Sequence, residues 1–271
     1  MEQIKELIKN RRSVRTFNGK DLSLEDLEKL SSYMSNLQNP YGITLECMLL
    51  DGRKQKLPCP VISGTDFFIG AKVKRAPHVE EAFGYSFEML VLYAQSLGIG
   101  TVWVGGTMKR AAFEAAMTLE ANEMMPCMSP IGYPAEKMSL KETMMRKGVK
   151  ADSRVPFETI FFDGSFDTPL TQETAGDLYE PLEMVRWAPS TVNKQPWRAV
   201  VTQNGVHFYL KHAKGFYSES VGDMQKIDMG IALCHFALTA EESGLQMQFC
   251  ISDPGIATEA DTEYIASYLL Q

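Results

Sequence analysis

The sequence predicts a mixed helix-and-strand protein made of two related halves in one chain. Three observations predict it. Long apolar helical stretches are separated by short strand-like runs. Asn204-Gly205 between two apolar runs is a strong hairpin signal. Two long helices can be overlaid: Gly84-Tyr85-Ser86-Phe87 to Gly98-Ile99-Gly100 lies against Gly230-Ile231-Ala232-Leu233 to Gly244-Leu245-Gln246, with the same spacing from glycine to glycine. The helices before them also align, Leu27-Glu28-Lys29-Leu30 on Leu182-Glu183-Met184-Val185. An asymmetric, fused duplication accounts for this, and chance likeness between amphipathic helices is the alternative.

Taken in order, Ile4, Leu7 and Ile8 give a short helix with one apolar face. Ser23-Leu24-Glu25-Asp26 has the form of a capping box with Asp at its last position, opening a helix to about Asn36. Strands are expected at 43–50 and 67–73, and a buried helix at 80–97 stopped by Gly98. Residues 101–104 read as a strand ending in Gly105-Gly106, after which Thr107 can cap a helix over 108–117. Residues 124–128 read as a strand, and Ser139, with Glu142 at the third position, opens a short helix to Lys147. Residues 154–158 are expected to be extended, and 161–169, aromatic and turn-rich, to bridge the halves. Strands at 199–202 and 206–211, a buried helix at 227–243, and strands at 247–251 and 263–270 complete the second half. The expected units are 1–165 and 166–271.

The 271 residues, 45% of them hydrophobic, can bury one large core or two modest ones. A net charge of -7 argues against a generic nucleic-acid or anionic-membrane surface. The five cysteines are scattered without a C-x-x-C pair, which favours core thiols over a disulfide framework or zinc site. The four histidines have no metal-ligand spacing, and His235 on its apolar helix reads as a satisfied core residue. The N-terminal stretch lacks the apolar run of a signal peptide, and no apolar stretch is long enough to span a bilayer, so a cytoplasmic protein is expected.

Three stretches carry candidate chemistry. Arg11-Arg12-Ser13-Val14-Arg15 offers three guanidiniums and a hydroxyl, which can grip a phosphate or form a solvated basic loop. Gly105-Gly106 can admit a ligand close to the backbone or simply make a tight turn. Ala188-Pro189-Ser190-Thr191-Val192-Asn193-Lys194-Gln195-Pro196-Trp197 brings short polar side chains together between two prolines. It suits a flat, heteroatom-rich ligand, or it is a stiff helix-to-strand connector. Its counterpart in the first half, Met34-Ser35-Asn36-Leu37-Gln38, has diverged, and the arginine stretch has no counterpart around 166–172.

Together with Leu97 to Gly106, Pro130-Ile131-Gly132-Tyr133-Pro134-Ala135-Glu136-Lys137 and Arg154, these stretches resemble the FMN-dependent nitroreductase family. The resemblance implies an α+β fold with mostly antiparallel sheets and packed helices. It also implies a flavin site that family members build between two subunits. Here the Pro-Ser loop follows the Gly-Gly segment, as in a single-chain pseudodimer with one FMN site, for which a monomer suffices. By this resemblance Arg11, Arg12, Ser13 and Arg154 would hold the phosphate and Arg15 would face the ring edge. Trp103, Val104, Gly105 and Gly106 would approach the ring from one half, and Pro189, Ser190, Thr191 and Asn193 from the other. Relatives carry a second basic residue where Asp152 stands, with Lys150 as the substitute. The implied function is an oxidoreductase passing electrons from NAD(P)H through FMN to a nitroaromatic or quinone, with no metal and no catalytic side chain. The alternatives are a flavin enzyme of a dehalogenase-like branch and a non-enzymatic FMN-binding or sensor protein.

Overall fold

The computed structural model describes residues 3–271; Met1 and Glu2, the head of the stretch weighed as a leader, lie outside them. The first half contains α1 (Ile4–Asn10), α2 (Leu24–Met34), β1 (Glu46–Asp51), α3 (Gly52–Gln55), β2 (Phe67–Lys74) and α4 (Val79–Ser96). It continues with β3 (Gly100–Thr101), α5 (Arg110–Ala116), β4 (Glu123–Met124), β5 (Met128–Gly132) and α6 (Leu140–Gly148). Next come α7 (Phe157–Ile160), β6 (Phe161–Asp163), α8 (Gln172–Ala175), α9 (Tyr179–Trp187), β7 (Trp197–Thr202) and β8 (Gly205–Lys211). The chain closes with β9 (Tyr217–Ser218), β10 (Gly222–Asp223), α10 (Met224–Glu242), β11 (Met247–Cys250) and β12 (Thr262–Leu270).

The chain builds two main sheets, and the architecture is α+β. The first sheet has the order β1-β2-β5-β3 with β4 on β2, all antiparallel. Its central strand β2 is buried at six consecutive positions, from Phe68 to Val73, because both of its faces are covered. The second sheet runs β11-β12-β8-β7-β6, with the Asn204-Gly205 hairpin between β7 and β8 and one parallel pairing, β6 on β7. Thus β6, at 161–163, joins the sheet of the second half.

The two overlaid helices, α4 and α10, pack against each other at the centre. Their matching glycines make the closest approach. A Cβ on Gly84 would lie 2.1 Å from the Ile227 carbonyl oxygen, and one on Gly230 would lie 2.0 Å from that of Glu81. Each glycine therefore meets the carbonyl three residues before the other, the reciprocity of a pseudo-twofold axis. Both helices stop at left-handed glycines, Gly98 (φ +72) and Gly244 (φ +78).

Several local expectations are corrected. Asp26 does not complete a capping box: its carboxylate takes the Tyr133 hydroxyl, which also accepts from Ser23 N at 3.2 Å. The 101–104 strand is shorter, because Val102 N donates to the Ser129 hydroxyl at 3.1 Å rather than to a neighbouring carbonyl. Pro126, which has no N–H, lies between β4 and β5 in what read as one strand. Thr107 does not cap α5, which starts later, at Arg110. Residues 157–158, expected to be extended, instead open α7.

Candidate functional site

One crevice of about 990 Å³ lies between the halves, and all thirteen residues singled out in the sequence line it. The arginine loop leaves α1 and runs beside β3: Ser13 bridges Thr101, and Val14 N donates to Thr101 O at 2.9 Å. This register carries residues 11–15 to the segment that ends in Gly105-Gly106. The loop is clamped by Glu142, whose side chain is fully buried. One Glu142 oxygen accepts from Arg12 Nη1 at 2.7 Å and the other from Arg15 N at 3.2 Å. Ser139 caps α6 as expected, accepting from Glu142 N at 3.1 Å, but the Glu142 carboxylate serves the loop and not a reciprocal cap.

Arg11 turns inward. Its side chain is 6% exposed, its Nε lies 3.8 Å from Glu88 Oε1, and its Nε and Nη1 have no hydrogen-bond partner. Arg154 spends donors on the carbonyls of Ala151 and Ser153, both at 2.9 Å, and stacks over Trp187, while its buried Nε is unpartnered. A further guanidinium, Arg146 on α6, lines the same crevice and is paired with Asp152. Burial pushes Arg11 below the ordinary guanidinium range, opposed by Glu88 and reinforced by Arg146. Burial likewise lowers Arg15, with Glu142 opposing. It pushes Arg154 down to about 10, with Arg11 adding to the drop. Desolvated cations that repel one another around one crevice form a site that an anion would relieve.

The strand-end wall is equally fixed. Trp103 Nε1 donates to Glu88 Oε2 at 2.9 Å, and its ring packs edge-on against Phe87. Arg110 forks onto the carbonyls of Gly105 (2.9 Å), Met125 (2.5 Å) and Pro126 (3.1 Å), holding the glycine turn shut on one side. A side chain on Gly106 would meet nothing within 4 Å, so that backbone faces open space.

Opposite stands the Pro189–Asn193 elbow. Val192 (φ 46), Asn193 (φ 58) and Gln195 (φ 50) all adopt left-handed backbone, a strained run that other contacts must hold. Thr191 N donates to both oxygens of Asp228, at 2.9 and 3.0 Å, and Thr191 Oγ1 donates to Asp228 Oδ1 at 3.1 Å. Ser190 Oγ accepts from Gln195 N at 2.9 Å. Asn193 reaches the crevice, yet its amide nitrogen is committed to the carbonyls of Lys150 (2.8 Å) and Ser153 (3.0 Å). Asp228 is fully buried, and burial raises its carboxyl well above the usual range despite the Thr191 hydrogen bonds.

Sequence reasoning missed five contributors. Glu88 and Asp228 sit inside apolar helices, where they read as exceptions to a core pattern. Glu142 and Arg146 are four apart on α6, a spacing that puts both on one face and could have flagged them. The β9–β10 hairpin adds a wall that includes Tyr217, 71% exposed at the rim. Lys150 lines the adjacent hollow with Lys147 instead of this crevice, whereas Arg146 lines both.

Fold and crevice together define a two-half α+β protein with a desolvated cationic end and a flat, glycine-and-elbow end. A family model described as "Putative TM nitroreductase" matches residues 3–240, and the chain belongs to this nitroreductase family, a family of oxidoreductases. Among solved structures, one described as a "putative nitroreductase" from Thermotoga maritima is 22% identical, covering 99% of this chain and 94% of its own, with a TM-score of 0.59. A Bacteroides thetaiotaomicron protein described as an NADH dehydrogenase/NAD(P)H nitroreductase is 20% identical over 50% of this chain and 89% of its own, with a TM-score of 0.43. A nitroreductase family protein from Clostridium difficile is 17% identical over 58% of this chain and 94% of its own, with a TM-score of 0.44. Comparison with curated proteins gave no match. Among the described residues no helix is long and apolar enough to cross a membrane.

Proposed function

We propose that the crevice binds one FMN per chain and that the protein is an FMN-dependent oxidoreductase. It would take hydride from NADH or NADPH and pass electrons to a small acceptor such as a nitroaromatic or a quinone. The observation that carries this reading is the meeting of several desolvated guanidiniums with the strained elbow across one crevice. Arg11, Arg15, Arg146 and Arg154 fit the phosphate end, with Arg12 and Ser13 fixing the loop. Trp103 to Gly106 and Pro189 to Thr191 fit two sides of a planar ring, and Asn193 braces the elbow from behind. The crevice volume lies at the upper end of the range for small-molecule sites, leaving space for a second planar molecule beside the first. The bound flavin would supply the redox chemistry. The chain supplies binding, orientation and a partly desolvated cationic field that favours anionic forms of the ligand.

In this reading the halves, 1–165 and 166–271, replace the two subunits of a dimer, so a single chain is sufficient. The test is the visible spectrum of cofactor released from denatured, ultrafiltered protein, together with anaerobic titration by each nicotinamide. Near one FMN per chain, bleached by NADH or NADPH, is expected. Two per chain would overturn the single-site reading, and FMN that neither nicotinamide reduces would overturn the enzymatic one.

A further inference from the structure

Behind the crevice, at the helix crossing, Glu88 of α4 meets His235 of α10. Both side chains are fully buried. Glu88 Oε1 lies 3.0 Å from His235 Nε2, and Glu88 Oε2 accepts from Trp103 Nε1 at 2.9 Å. His235 Nδ1 lies 2.9 Å from the Met184 carbonyl oxygen on α9. Arg11 stands 3.8 Å from Glu88 Oε1, too far for a hydrogen bond. Among the described residues, the charged or titratable groups around this cluster include Arg11 from the loop after α1, Cys234 from α10 and, beyond Arg11, Arg146 from α6 and Arg154.

The proton count follows from the acceptors. A carbonyl can only accept, so His235 donates from Nδ1 to Met184 O. One proton then lies between His235 Nε2 and Glu88 Oε1, carried by one or the other. With the proton on nitrogen the pair is imidazolium and carboxylate; with it on oxygen the pair is imidazole and carboxylic acid. Both arrangements sum to zero charge. A carboxylate acting as an ordinary counterion to Arg11 would grip it through short, charge-assisted hydrogen bonds. Here the Glu88 oxygens are directed to His235 and Trp103, and Arg11 keeps two unused donors.

We propose that Glu88 and His235 form a neutral proton-sharing pair that positions Trp103 while leaving the positive charge of the neighbouring Arg11 uncancelled for the ligand's phosphate. The proposal rests on the FMN reading above and deepens it: Glu88 and His235 are positioning residues of the crevice, contributed by opposite halves of the chain.

The test uses the full-length protein at pH 8, with FMN affinity followed by quenching of flavin fluorescence. His235→Gln keeps a donor toward Glu88 but has no proton to trade, so a bare carboxylate is left beside Arg11. FMN binding should weaken by about tenfold, the scale of one added charge at an effective protein dielectric. Adding Glu88→Gln removes that charge and should recover most of the loss. Inorganic phosphate, competing with FMN, should follow the same order. A purely structural role predicts the reverse, with the double variant weaker than the single one. Wild-type affinity in His235→Gln, or a double variant weaker than the single, overturns the proposal. Glu88→Gln alone gives a second test: affinity no tighter than wild type supports a charge that was already cancelled. Tightening by about tenfold would mean that Glu88 had been opposing the anion, and would overturn it. Wild-type protein that binds no FMN would sink the parent reading. Wild-type protein that binds FMN, beside an unresponsive His235→Gln, would sink only this one.

Discussion

The two sides of the helix crossing share a backbone and differ in what it carries. Counting from the matched glycines, two residues before Gly230 stands Asp228, and two before Gly84 stands Ala82. Four residues after Gly84 stands Glu88, and four after Gly230 stands Cys234. His235 has Met89 as its partner in the overlay. On the crevice side Asp228 braces the elbow and Glu88 holds Trp103 beside open volume. On the counterpart side the space is taken by rings: Tyr33 stacks on Tyr93 at 4.0 Å, and Tyr41 packs edge-on to Phe249 at 4.9 Å, near Glu81 and Tyr85. Backbone packing thus preserved the symmetry, while side-chain chemistry was free to drift on one side and be held on the other.

The largest test strikes what the two sides share. Gly230→Ala would place its methyl 2.0 Å from the Glu81 carbonyl oxygen, where backbone must yield. A loss of about 3 kcal/mol is expected by urea titration, affecting both halves in one transition. Two separate transitions would show that the halves are not coupled through this crossing.

A test of similar size belongs to the counterpart side alone. Burial raises Glu81 to about 7. A carboxyl whose folded value lies above its unfolded one costs nothing below the unfolded value near 4.5; stability then falls as pH rises toward 7 and stays reduced above it. Glu81→Gln should therefore gain up to about 3 kcal/mol at pH 8 and almost nothing at pH 4. One FMN per chain should be retained. A stability gain that did not depend on pH would contradict the assignment.

On the crevice side, Arg154→Ala should weaken FMN binding by about 2 kcal/mol, the scale of a charge-assisted hydrogen bond, with little change in urea midpoint. Equal loss of stability and affinity would recast Arg154 as a brace. The smallest effect is expected from Asn193→Ala, which frees the elbow from the carbonyls of Lys150 and Ser153. About 1 kcal/mol of stability should be lost, with faster release of FMN in stopped-flow measurements.

Much of this was legible in the sequence, because glycine, proline and arginine have local reasons for standing where they do. Gly98 and Gly244 stop helices by taking a conformation that side chains resist, and Asn204-Gly205 marks a hairpin without help from tertiary structure. Ten of the thirteen singled-out residues lie in short stretches whose composition was itself the signal; Trp103, Val104 and Arg154 were named only through the family resemblance. Glu88, Asp228 and His235 carry no such local mark. Glu88 and His235 stand 147 residues apart, and each makes sense only against the other, within helices whose periodicity reports burial and nothing more. The strand end near Val102 was misplaced for a related reason: the hydroxyl of Ser129, distant in sequence, took a donor that the local pattern assigned to the ladder.

The reciprocal glycine crossing has an evolutionary consequence. In a true homodimer every substitution near the axis is made twice, and each must be tolerated in both copies of a site. Joined in one chain, the two copies mutate independently, so a tyrosine could fill one vestigial cleft while an acid was recruited behind the other. The glycines are the exception: each is held in place by the main chain of its neighbour, and neither can enlarge until the other's helix moves away.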